Sequence, residues 1–102
     1  MKGYAAKRIL LVSKKGSDSR TELTIKIDIP YIVSQEAVRF KVDEENAACE
    51  VRITGLSEPF HEVMYGADLL QALQLAVDIE PVLKHLTKSY DLFFKSGEPY
   101  FE

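Results

Sequence analysis

Residues 67–79 read ADLLQALQLAVDI, and this stretch decides the fold. Nine of its thirteen residues are apolar; only Asp68, Gln71, Gln74 and Asp78 are polar. Alanine, leucine and glutamine are strong helix formers. Asp68 can act as N-cap, with Gln71 three residues on as the capping-box partner. Pro81 falls inside the apolar pattern, where it removes one helical hydrogen bond and biases Glu80 away from helical angles. The sequence predicts one main helix that ends or kinks near 79–81, then a further turn or two through PVLKHLTKS with Pro81 as first residue. On a helical wheel the four polar residues cluster within about 120°. A helix lying on one sheet buries a stripe only a little wider than about 100°. This helix therefore has an apolar surplus, and three covers are open: the curled sheet, the C-terminal YDLFF strand, or another chain, a homodimer being one such case.

Upstream of the helix the pattern has period two. TELTIKIDI (21–29) puts Leu23, Ile25, Ile27 and Ile29 on one face and Glu22, Thr24, Lys26 and Asp28 on the other. That alternation, with β-branched residues inside, is a half-buried strand. AVRFKV (37–42) and ACEVRITG (48–55) repeat it, KRILLVS (7–13) precedes them, and FHEVMY (60–65) follows as a weaker fifth run. KKGSDSR, DEEN (43–46) and GLSEP (55–59) carry turn chemistry between the runs. Pro30 should end its strand, since it offers no N–H to a ladder. For Tyr31–Val33 a bulge, a short edge strand and a crossover are all open. YDLFFK (90–95) reads as a last strand, followed by a turn at SGEP. Strands first and helix late argue against a parallel α/β sheet. The expectation is a single α+β domain over residues 1–102. A curled antiparallel sheet of five to six strands packs on one main helix in the C-terminal half, which ends or kinks at Pro81.

The bulk numbers fit a globular protein: 102 residues, 46% hydrophobic and 28% charged. Net charge is −3, but residues 1–20 hold six Lys/Arg against one acid, and the rest holds seven against fifteen. The basic N-terminal strand is read as pairing beside acidic strands of its own sheet. No aromatic interleaves with it, and the acidic remainder would repel phosphate, so no nucleic-acid partner is expected. The lone Cys49 cannot form an internal disulfide, and the apolar run Ile9–Val12 is too short for a signal segment. No stretch approaches the roughly 20 apolar residues of a membrane span. The expected location is the cytoplasm, with no membrane partner.

Candidate chemistry is sparse. His61 and His85 lack metal-ligand spacing, and His61 and Glu62 should point to opposite faces of a strand. His85 sits with Lys84 and Lys88 where a helix end favours cations. Cys49 shares strand parity with Val51 and Ile53, which reads as a buried small hydrophobe rather than a nucleophile. Asp43, Glu44, Glu45 and Asn46 lack the ligand spacing and glycine of a calcium loop. Ser17 and Ser19 have no sequence-level base. Tyr90, Phe93, Phe94, Tyr100 and Phe101 crowd the C-terminus, as core if the last strand is central and as an apolar surface if it is an edge. No catalytic residue, cofactor or metal site is expected.

From Cys49 onward the order of features resembles a family of small bacterial proteins of unknown function. The shared features are a cysteine strand ending in glycine, a Gly-x-Asp opening of an LQALxLA helix, and a short final strand with a Gly/Pro turn. Gly66 and Asp68 with Leu70–Val77 carry the likeness, supported by Cys49, Gly55 and the Gly97–Pro99 turn; Ala47 and Ala48 stand where the family often has an aromatic residue. The resemblance implies this fold and a bacterial origin, and no activity. For function the first expectation is a non-enzymatic protein-binding module, in the manner of small acidic immunity or inhibitor proteins. The alternative is a small-ligand-binding domain with a pocket between sheet and helix. An enzyme would need His61 or His85 gathered with carboxylates in a cleft.

Overall fold

The structure is a computed structural model and describes residues 3–33 and 46–101. It is an α+β fold: an open antiparallel sheet of six strands packed against a bent helix in the C-terminal half. The strands are β1 (Tyr4–Lys14), β2 (Thr21–Asp28), β3 (Tyr31–Val33), β4 (Asn46–Thr54), β5 (Phe60–Gly66) and β6 (Tyr90–Phe93). The helices are α1 (Leu69–Val77) and α2 (Glu80–Leu86). The AVRFKV run and residues 43–45 of the DEEN turn lie outside the described residues.

Across the sheet the order is β5–β4–β2–β1–β6. β3 continues past β2 along the same flank of β4. Of the three roles open for Tyr31–Val33, the segment takes that of a short strand, and Pro30 explains why it is separate. Ile27 pairs with Val51 and Tyr31 with Ala48, so the β2–β3 side holds one residue more than β4. The extra residue is taken up at Asp28–Pro30, where the missing N–H breaks the ladder. Ile29, expected inward by parity, falls in this break and is 56% exposed.

Alternation elsewhere holds. Leu23, Ile25 and Ile27 of β2, Cys49, Val51 and Ile53 of β4, and Leu10 and Val12 of β1 form the core beneath the helix. Gly55 ends β4 with φ +105, and a Cβ there would stand 2.2 Å from the Glu22 carbonyl oxygen, so only glycine fits. The C-terminal segment pairs β6 with β1 at the sheet edge, and the turn after it closes with Gly97 N–H donating to the Phe94 carbonyl. The terminal aromatics therefore split: Tyr90, Tyr100 and Phe101 pack against the core from its rim, and Phe94 is exposed.

Asp68 caps α1 as the sequence predicts, its Oδ1 accepting from the Gln71 N–H at 2.8 Å. Gln71 Oε1 returns to the Ala67 N–H at 2.6 Å, one residue earlier than in the usual box. The helix breaks at Asp78–Ile79 and resumes at Glu80, with Pro81 in its first turn. The face of α1 set on the sheet is its small one: Ala72 and Ala76 are fully buried. Ile79 and Leu83 carry the contact through the bend. No helix among the described residues is long and apolar enough to cross a membrane.

Candidate binding face of the sheet

Only one face of the sheet carries a helix among the described residues. On the other, strand parity sets Glu50 and Arg52 of β4 beside Asp28 of β2, Tyr31 of β3 and His61 of β5. Glu50 is the hub. Its Oε2 accepts from the Tyr31 hydroxyl at 2.8 Å, and its Oε1 meets Arg52 at 2.8 Å and His61 Nε2 at 2.7 Å. Arg52 Nε also donates to Asp28 Oδ2 at 3.1 Å. The Tyr31 and His61 hydrogen bonds, with the Arg52 charge, hold the Glu50 carboxyl below its ordinary range. Glu50 is therefore a carboxylate near neutral pH, and His61 Nε2 must be the donor. The same bond to Glu50, then burial, pushes the Tyr31 phenol up to about 12. A carboxylate with three donors is a poor general base, and Tyr31 is fixed as a donor. The arrangement suits orientation and binding better than proton transfer.

A concavity of about 670 Å³ opens on this face, lined by Gly3, Tyr4, Lys26, Asp28, Ile29, Tyr31, Glu50 and Arg52. Small-molecule pockets commonly measure about 300–1,000 Å³.

A second polar cluster lies on the helix side. The Tyr100 hydroxyl donates to Glu80 Oε2 at 2.6 Å and accepts from Arg8 at 2.6 Å, tying the C-terminal segment to α2 and β1. Burial, with the Glu80 bond adding to it, raises the Tyr100 phenol. Beside it is a space of about 520 Å³ bounded by Arg8, Leu10, Phe94 and Phe101. Two of the N-terminal basic residues meet acids: Arg8 of β1 lies 3.5 Å from Glu80 of α2, and Lys15, just after β1, lies 2.9 Å from Asp91 of β6.

The residues singled out from sequence fall as follows. His61 joins Glu50, a contact between strands that no sequence spacing reveals, while His85 lies near the C-terminal end of α2, away from that cluster. Cys49 is buried and its thiol donates to the Asp28 carbonyl at 3.2 Å; burial, then the Asp28 and Glu50 charges, raise its pKa. Ser17 Oγ accepts from the Ser19 N–H in a local turn. Of the DEEN run only Asn46 is described, as the first residue of β4. Among the described residues no three His, Cys, Asp or Glu side chains gather as a metal site. Sequence reasoning missed Tyr31, Glu50 and Arg52; strand parity, which put Glu50 and Arg52 on the outward face, was the signal available. Comparison with known protein families, with curated proteins and with solved structures gives no match. The likeness around Gly66–Val77 rests on the residues quoted for it.

Proposed function

We propose that this chain is a non-enzymatic protein-binding module that docks its partner on α1. The observation that carries this reading is the apolar surplus of that helix. Leu69, Leu70, Leu75 and Val77 remain 42–64% exposed. Among the described residues neither the sheet nor β6 covers them, and this supports the third cover read from the sequence, another chain. Each exposed leucine forgoes roughly 1.5–3 kcal/mol of burial, which the apolar surface of a partner would recover.

The charge around the patch points to the partner's chemistry. Residues 53–83, which include β5 and α1, hold five carboxylates and no Lys or Arg. Asp68, Asp78, Glu80 and Glu62 are all exposed beside the apolar residues. Such a surface favours an apolar patch rimmed by Lys or Arg. Two copies meeting through the same face would set like charges together.

The test is a comparison of wild type with a Leu70→Asp, Val77→Asp double variant, both checked for the same melting temperature. Each would be used to capture partners from the native host, and the captured protein then purified and titrated directly. The reading predicts one basic partner that binds wild type, binds the variant far more weakly, and weakens as salt rises. Equal binding by both proteins, or no partner at all, would overturn it. Light scattering giving twice the 11.6 kDa chain mass would assign the face to a second copy instead.

The small-ligand alternative has its own observation, the space of about 520 Å³ between β1, α2 and Tyr100. Its polar groups, Arg8, Tyr100 and Glu80, are already bonded to one another.

A further inference from the structure

Four basic residues stand in one row across the open face of the sheet. Lys7 of β1 is the register partner of Lys26 of β2, Lys26 of Arg52 of β4, and Arg52 of His61 of β5. Directly opposed residues share a face, at about 4.8 Å per strand, and like charges so placed repel. At the His61 end the repulsion is answered: Arg52 is paired to Asp28 and Glu50, and His61 to Glu50. At the other end it is not. Among the described residues no carboxylate lies within ion-pair distance of Lys7 or Lys26, and both ammonium groups instead sit 5.4 Å from the centroid of the Tyr4 ring. The concavity of about 670 Å³ opens beside them, with Lys26 and Arg52 in its lining, Tyr4 and Tyr31 in its walls and the exposed Ile29 at its rim.

We propose that this concavity binds a planar organic anion, with its negative group at Lys26 and Lys7 and its ring against Tyr4, Tyr31 and Ile29. An anion relieves the repulsion between the two lysines, and the tyrosine faces and Ile29 offer apolar area to a ring. Asp28, opposite Tyr4 in register and next to Lys26 on its face of β2, and Glu50 line the same concavity and set the size of the charge. They disfavour an extended polyanion running along the row and restrict the ligand to one anionic group, a carboxylate or a phosphate. The site lies on the opposite face from α1 and does not depend on the protein-binding reading.

The experiment is an amide NMR titration of the full chain with benzoate and with adenosine monophosphate. Benzamide, adenosine and inorganic phosphate serve as controls. Saturable shifts centred on Lys26, Asp28 and Glu50 with at least one ring anion are expected. Benzoate binding alone assigns a carboxylate, and adenosine monophosphate binding alone assigns a phosphate. Loss of one charged contact should weaken binding about tenfold, both for the neutral ring and for Lys26→Gln. Lys7→Gln should weaken it as well, and added salt should act in the same direction. Both lysines are exposed, so the variants should keep the wild-type melting temperature. Three results would overturn the proposal: no saturable shift at millimolar ring anion, binding unchanged in both lysine variants, or inorganic phosphate binding as tightly as the ring anions.

Discussion

Gly66, the last residue of β5, lies directly beneath Ala72 of α1: a Cβ placed on Gly66 would stand 2.6 Å from the Ala72 backbone nitrogen. The glycine is there for closeness and not for an unusual backbone angle, since Gly16, Gly55 and Gly97 are the glycines with positive φ. With Ala72 and Ala76 fully buried, the helix rests on the sheet through small residues. That choice of face leaves Leu69, Leu70 and Leu75 exposed.

Gly66→Ala should therefore destabilise the fold by about 1–3 kcal/mol, the usual range for overpacking. The obstructing atoms belong to the helix backbone, so no side-chain rotation relieves them. Urea unfolding monitored by circular dichroism measures the loss. A neutral Gly66→Ala would mean that α1 can lift from β5 at no cost.

Asp68→Ala should cost about 1 kcal/mol, within the range for losing an N-cap. The aspartate accepts from Gln71 N–H at 2.8 Å, and α1 has no acidic residue in its first turn to substitute for it. Gln71→Ala should cost less, because Gln71 reaches only the exposed Ala67 N–H. The two unfolding midpoints, compared with wild type, check the order.

The helix, its cap and its break just ahead of Pro81 were legible because each depends on residues close in sequence. The buried parity of Leu23, Ile25, Ile27, Val51 and Ile53 was legible for the same reason. What stayed hidden depends on pairing between strands. Tyr31, Glu50, Arg52 and His61 meet because β3 and β5 flank β4 on opposite sides, and the register that joins them follows from the one-residue bulge at Asp28–Pro30. The helical wheel showed the leucine surplus but not its orientation. That was set by the close approach at Gly66, which selects Ala72 and Ala76 as the contact face.

The inner and outer leucines should separate cleanly. Leu83 is fully buried, and Leu83→Ala should cost about 2–5 kcal/mol as a large-to-small core change. Leu70 is 64% exposed, and Leu70→Ala should change stability by less than about 0.5 kcal/mol, as surface changes do. Thermal melts of the two variants decide it. A large loss at Leu70 in a monomer would show that another part of the chain covers it.

The Glu50–Tyr31 pair should shape stability at both ends of the pH range. Glu50 has a folded pKa below its ordinary value of 4.5. Its contribution is thus present above that value and is lost as pH falls through the lower, folded pKa. Tyr31 has the opposite sign. Its folded pKa of about 12 exceeds the ordinary 10.0, so its contribution is complete below 10.0 and is lost as pH rises through about 12. Tyr31→Phe removes the largest cause of the first shift and the titrating group of the second. The stability difference between wild type and Tyr31→Phe should form a plateau around neutral pH and shrink on the acid and alkaline sides. Urea unfolding of both proteins across a pH series gives that difference directly. A difference that stays flat into both limbs would show that the hydroxyl and the carboxylate are not coupled in solution.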